Sequence, residues 1–135
     1  MMLVESIGDV LVRGHPRPGR RIHGKVTLVH ASDEKRHGET RERILVISRC
    51  DDSYLPLLKH ALGIVLQNHP EDAGSEQFAL QVAKMLDIPI LTRADGAMTL
   101  LTDGQIVTLE PQKGLVYKGS ITNEDEMIPT ICSPS

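Results

Sequence analysis

The chain has 135 residues, 40% of them apolar, and a formal charge of −3, which suits a single soluble domain built around one core. It has no Trp, one Phe and two Tyr, so the core must be aliphatic and offers few platforms for stacked bases, which argues against a nucleic-acid partner. Cys50 and Cys132 are too few for a disulfide framework, no apolar run reaches the roughly 18 residues that span a bilayer, and the start lacks a signal-peptide pattern. A cytoplasmic protein without membrane contact is the expectation.

Residues 9–12 (Asp-Val-Leu-Val) read as a short strand after a lead-in from Leu3, and the strand ends at Gly14. Between Arg13 and Lys25 the chain carries Arg13, Arg17, Arg20, Arg21 and Lys25 and no acid. Pro16, Pro18, Gly14 and Gly19 make the centre of this stretch an ordered loop or bent edge. Such an edge can bind phosphates, form a solvated rim or face an acidic partner, and the residues alone leave these open.

Residues 24–29 (Gly-Lys-Val-Thr-Leu-Val) alternate as a strand does, and the polar run 31–42 reads as a surface connection. Ile44-Leu45-Val46-Ile47 is a continuous apolar run of the kind buried on both faces. Asp51 or Ser53 can cap a short helix through Tyr54, Leu57, Leu58 and Ala61, with Pro56 in its first turn. Gly63-Ile64-Val65-Leu66 is a second buried strand.

The strongest helix signal follows, from Gly74 to Leu86. At 3.6 residues per turn Phe78, Ala79, Val82, Ala83, Met85 and Leu86 share one side, while Glu76, Gln77, Gln81, Lys84 and Asp87 face away. Ser75 or Asp72 can cap its start, and Pro89 stops it before a short strand at 88–91. A short helix over 95–101, a strand over 105–109, a turn at 111–114 and a strand over 115–118 complete the pattern, the last two strands as a hairpin-like pair. Alternating strands and helices argue for an α/β fold with right-handed crossovers.

Little in these residues points to chemistry. His15, His23, His30, His37, His60 and His69 form no metal-binding pair at short spacing, so neither metal nor cofactor is expected. Gly14, Gly19 and Gly24 have neither the spacing of a dinucleotide fingerprint nor the Lys-Ser/Thr of a phosphate loop. Cys50 follows a buried strand directly, a place for either a nucleophile or plain packing.

Taken together, the order of elements and several motifs resemble the swivelling phosphohistidine domain of phosphoenolpyruvate-utilising enzymes, and most nearly the extra C-terminal domain of pyruvate kinases from some Gram-positive bacteria. The carriers are Ile7-Gly8-Asp9-Val10 with Gly14, Gly24-Lys25-Val26, the strand-loop-helix of 64–86, Asp87-Ile88-Pro89-Ile90, residues 102–108 (Thr-Asp-Gly-Gln-Ile-Val-Thr) and residues 114–119 (Gly-Leu-Val-Tyr-Lys-Gly). The resemblance implies a swivelling β/β/α domain over 1–122, with a largely parallel central sheet, flanking helices and a small β-hairpin layer, then a loose tail over 123–135.

In active members a glycine-rich loop leads into a Thr-Ser/Thr-His-Ala motif at the helix start, and the histidine carries a phosphoryl group between distant sites. A helix N-terminus favours that anion. Counting back from Asp87-Ile88-Pro89, the motif falls on Glu76, Gln77, Phe78 and Ala79, with Ala73-Gly74 for the glycine pair. Phe78 cannot accept a phosphoryl group, and Glu76 would repel one. The resemblance therefore implies a degenerate module with no catalytic residue of its own. It would serve contacts with a partner protein, a neighbouring domain or a second subunit, or an effector response, in a parent chain that would be a pyruvate kinase. Two alternatives stay open: a stand-alone phosphotransfer domain using His69, in a loop longer than the family's, and an anion- or nucleic-acid-binding module using Arg13, Arg17, Arg20, Arg21 and Lys25.

Overall fold

The computed structural model describes residues 10–30 and 41–119. The lead-in before Val10, most of the polar connection expected over 31–42, and the expected tail over 123–135 with its boundary at 122 lie outside the described residues. In chain order the elements are β1 (Val10–Arg13), β2 (Ile22–Val29), β3 (Ile44–Ile47), α1 (Leu55–Leu58), β4 (Gly63–Leu66), α2 (Ala73–Leu86), β5 (Ile90–Leu91), α3 (Ala97–Leu100), β6 (Ile106–Glu110) and β7 (Leu115–Lys118). Short 3-10 turns precede α1 at Asp52–Tyr54 and join β6 to β7 at Pro111–Lys113.

The strands form one mixed sheet in the order β1-β7-β6-β2-β3-β4-β5. From β2 to β5 the ladders are parallel, and from β2 out to β1 they are antiparallel. This is the expected α/β domain, with the β6–β7 hairpin and β1 making up its antiparallel side. Both runs of continuous apolar residues, β3 and β4, are fully buried. Their alternate side chains enter two cores on opposite faces of the sheet. Leu45, Ile47, Ile64 and Leu66 meet Leu57, Leu58, Ala79 and Val82 from α1 and α2. Ile44, Val46 and Val65 meet Val107, Leu109, Val116 and Ala97. Each fully buried aliphatic side chain contributes about 1.5–3 kcal/mol over exposure, so this strand pair anchors both cores.

The helix α2 departs from the periodic reading at two positions. Met85, expected on the apolar side, is 73% exposed, and Glu76, expected outward, is buried. The apolar face is narrower than the 3.6-residue period suggests, and the first turn brings Glu76 against the loops at the end of the sheet. Asp72 supplies the N-cap, accepting from the Ser75 N–H at 3.1 Å. At the other end Asp87 takes a left-handed conformation (φ 57°), and the Ile88 N–H reaches back to the Ala83 carbonyl at 3.0 Å. The helix thus closes by a capped reversal before Pro89 acts on the chain.

The two outer strands of the sheet meet beyond their ends. His15 forms an isolated antiparallel bridge to Thr92, its N–H donating to the Thr92 carbonyl at 2.8 Å. The Gly14 N–H donates to the Gly114 carbonyl at 2.9 Å. A Cβ on Gly14 would lie 2.5 Å from the Thr92 carbonyl oxygen, and one on Gly114 (φ 69°) would lie 2.6 Å from the Gly14 oxygen. Both closures therefore require glycine. In urea unfolding, Gly114→Ala is expected to cost about 2–4 kcal/mol, combining left-handed strain with a backbone clash. Gly104→Ala, at φ 83° with nothing within 4 Å, is expected to cost only about 1–2 kcal/mol. Equal losses for the two would contradict the closure.

Candidate functional site

Chemically active side chains gather where β4 and β5 end and α2 begins, the end of a parallel sheet at which α/β folds bind ligands. The loop leaving β4 buries Asn68. Its Oδ1 accepts from the Arg93 N–H at 2.9 Å, and its Nδ2 donates to Glu76 Oε1 at 3.3 Å. Arg93, just past β5, holds a left-handed conformation (φ 52°), and its Nε donates to the same Oε1 at 3.1 Å. From the opposite side Arg17, in the β1–β2 loop, donates through its terminal nitrogen to Glu76 Oε2 and through Nε to Thr92 Oγ1 at 3.1 Å. One carboxylate therefore ties three loops together.

Burial of Glu76 by itself would raise its pKa, but the hydrogen bonds from Arg93 and Asn68 and the two guanidinium charges outweigh it and hold the carboxyl below its ordinary 4.5. The helix start is occupied as well. Ser75 Oγ donates to Asp72 Oδ2 at 2.7 Å and accepts from the Cys50 N–H at 3.0 Å. Asp72 lies below the ordinary carboxylate value, chiefly because the Ser75 hydroxyl and then its N–H donate to it. Cys50 is buried, and burial followed by the nearby Asp51 charge pushes its thiol up to about 12. At neutral pH it is a packed, protonated thiol with no nucleophilic character.

Phe78 is half-buried and packs against the core beneath α2. His69 is exposed, its Nδ1 accepting from the Glu71 N–H at 3.1 Å. A neutral ring in that geometry carries its proton on Nε2 and turns no lone pair outward. The basic stretch does not act as one patch. Arg17 is taken by Glu76; Arg20 donates to the Asp87 carbonyl at 3.2 Å; Arg21 stands 3.6 Å from Glu110. Arg13 ends β1, and Lys25 lies on β2 opposite Ile106, both exposed. Three of the five arginines and lysines are thus paired with acids of the same chain. Among the described residues no three of His, Cys, Asp and Glu are placed to hold a metal ion, and no helix is long and apolar enough to cross a membrane.

The periodic reading missed Glu76, Asn68 and Arg93 as site residues. Asn68 and Arg93 each come within two residues of a buried parallel strand's end, which is the available sequence signal.

Residues 39–114, more than half of the chain, match the family of the mobile domain of PEP-utilising enzymes. This chain belongs to that family. A phosphoenolpyruvate synthase of Aeropyrum pernix is 30% identical over 118 residues, covering 87% of this chain and 14% of the relative. A pyruvate kinase of Geobacillus stearothermophilus is 29% identical over 119 residues, covering 88% of this chain and 20% of the relative. The chain therefore spans a fifth or less of the length of these curated relatives. Among solved structures, the holo form of aconitase X from Thermococcus kodakaraensis aligns with a TM-score of 0.54 and 18% identity, over 81% of this chain and 98% of that one. Enzyme I (nEIt) aligns with a TM-score of 0.51 and 18% identity, over 70% of this chain and 36% of that one. These two likenesses concern the fold alone.

Two outcomes follow from the site. Glu76→Gln keeps the shape and removes the charge, and is expected to cost about 2 kcal/mol at neutral pH. Because the folded value is depressed, the carboxylate's contribution is complete above about 4.5 and is lost as pH falls through the lower folded value. The gap between variant and wild type in urea unfolding should therefore narrow on acidification; a constant gap would contradict the clamp. In a Cys132→Ser background, the native chain should resist a thiol reagent at pH 8 and react fully in urea. Rapid labelling of the folded chain would contradict the buried Cys50.

Proposed function

We propose that this chain is a non-catalytic member of the PEP-utilising mobile-domain family, a structural or regulatory module that works through contacts with another domain or subunit. The observation that carries the reading is the start of α2. The motif's histidine position falls on Phe78, whose ring packs on the core, and the neighbouring Glu76 places a carboxylate where a transferred phosphoryl would approach. Asp72 already caps the Ser75 N–H, one of the helix donors that would otherwise favour an anion. With Glu76 held by Arg17 and Arg93 and Asp72 capping the helix, the charged groups at this helix end already have partners within the chain, and none is left to cradle a phosphoryl group.

The pyruvate kinase of Geobacillus stearothermophilus supplies a precedent in domain arrangement, since it matches this chain over 88% of the chain's length as one part of a much longer protein. On this reading the chain serves in, or alongside, a larger phosphoenolpyruvate-related enzyme. Phosphotransfer through His69 is the competing reading. It requires breaking the Glu71 N–H contact to Nδ1 and moving an exposed side chain to a donor.

Incubation with labelled phosphoenolpyruvate, with and without a phosphoenolpyruvate synthase as donor, is expected to leave no acid-labile label on the wild type. Phe78→His is expected to remain unlabelled too, because Glu76 and Gln77 stay in place of hydroxyl residues. Label on the wild type that disappears in His69→Ala would establish the competing reading, and label on Phe78→His would show that the scaffold still supports transfer.

A further inference from the structure

Between the loop carrying Arg17 and Arg20 and the C-terminal half of α2 lies a cleft of about 470 Å³, within the size range of small-molecule sites. Its floor is apolar, formed by Leu80 and Ala83 of α2 and by Ile88 and Ile90 of the chain leaving it. Its rim is cationic. Lys84 has no ion-pair partner among the described residues. Among the described residues the only acid near Arg20 is the Asp87 carboxylate at 4.0 Å, on a side chain that is 96% exposed, beside the 3.2 Å hydrogen bond to the Asp87 carbonyl. A pair so exposed and so long binds weakly and leaves Arg20 available.

The walls are fixed before any ligand arrives. Arg17 is tied to Glu76 and Thr92, Arg20 to the Asp87 carbonyl, and the left-handed Asp87 sets the angle at which Ile88 and Pro89 leave the helix. Pre-formed walls reduce the ordering cost of binding.

We propose that this cleft binds a small amphipathic organic anion. Its apolar body lies on Leu80, Ala83, Ile88 and Ile90, and its carboxylate, sulfonate or phosphate head sits between Arg20 and Lys84. The floor rewards burial of the body, while the excess positive charge at the rim selects an anion over a cation of the same shape. Inorganic phosphate has no body to bury and lacks half of the interaction. Of the cleft residues only Arg17 also reaches the start of α2, and the head group is placed on Arg20 and Lys84, so the proposal stands whichever way the phosphotransfer question falls.

The test uses the full chain and the fluorescent anion 8-anilinonaphthalene-1-sulfonate, with binding followed by emission and mapped by amide chemical shifts. One saturable site is expected, with shifts concentrated at Leu80, Ala83, Lys84 and Ile88. Octanoate should displace the probe, and octylamine and inorganic phosphate should not. Lys84→Glu and Arg20→Gln, both at exposed positions, should each retain the native shift dispersion, with Lys84→Glu weakening the probe by about fivefold or more. Absence of saturation at millimolar probe, shifts that map elsewhere, or an affinity indifferent to Lys84→Glu would overturn the proposal.

Discussion

The carboxylate of Glu76, held between Arg17 and Arg93 with Asn68 as a third donor, is the contact on which the top of the molecule depends. The three loops it joins come from distant parts of the chain, and none has a hydrophobic core of its own. A buried carboxylate with one partner would be a net cost, because desolvation offsets a single attraction. Here two guanidiniums and an amide fill its lone pairs. The arrangement holds Arg93 in a left-handed conformation and Arg17 across the end of β5.

That same clamp decides how the basic stretch behaves. A cluster of Arg and Lys with no acids looks, in one dimension, like a surface for phosphates. In three dimensions Arg17, Arg20 and Arg21 lean on Glu76, Asp87 and Glu110, each far away in sequence. The chain thus pairs part of its basic segment internally, Arg17 most closely, and leaves Arg20 with only a long, exposed ion pair. The cationic surface that remains beside α2, at Arg20 and Lys84, borders an apolar floor rather than a bare polar face.

Membership of the mobile-domain family and the geometry at the start of α2 pull in different directions. The scaffold around it is regular: parallel strands feed the loop that leads into α2, and the hairpin closes the sheet at Gly14 and Gly114. On the proposed reading the motif's histidine position falls on Phe78, whose ring packs on the core, with the Glu76 carboxylate close by. Phe78 and Glu76 each find partners in the fold, the ring on the core beneath α2 and the carboxylate between Arg17 and Arg93.

Much of the fold was legible in the chain. The runs at 44–47 and 63–66, apolar at every position, read as strands buried on both faces, and the structure has both at the stated residues. The helix from Ala73 to Leu86 and the final hairpin follow from local periodicity and turn chemistry. Local pattern could not assign Glu76. Its charge and its helical angle both point outward, and only the arrival of Arg17 and Arg93 from opposite sides makes an inward carboxylate favourable. Nor could it show that His15 bridges to Thr92, that the arginines are already paired, or that a cleft opens beside Lys84. Short-range sterics and side-chain period fix which segments are strands and helices. Which charges meet is decided by tertiary structure, because an ion pair depends on distance in space and the sequence records only distance along the chain.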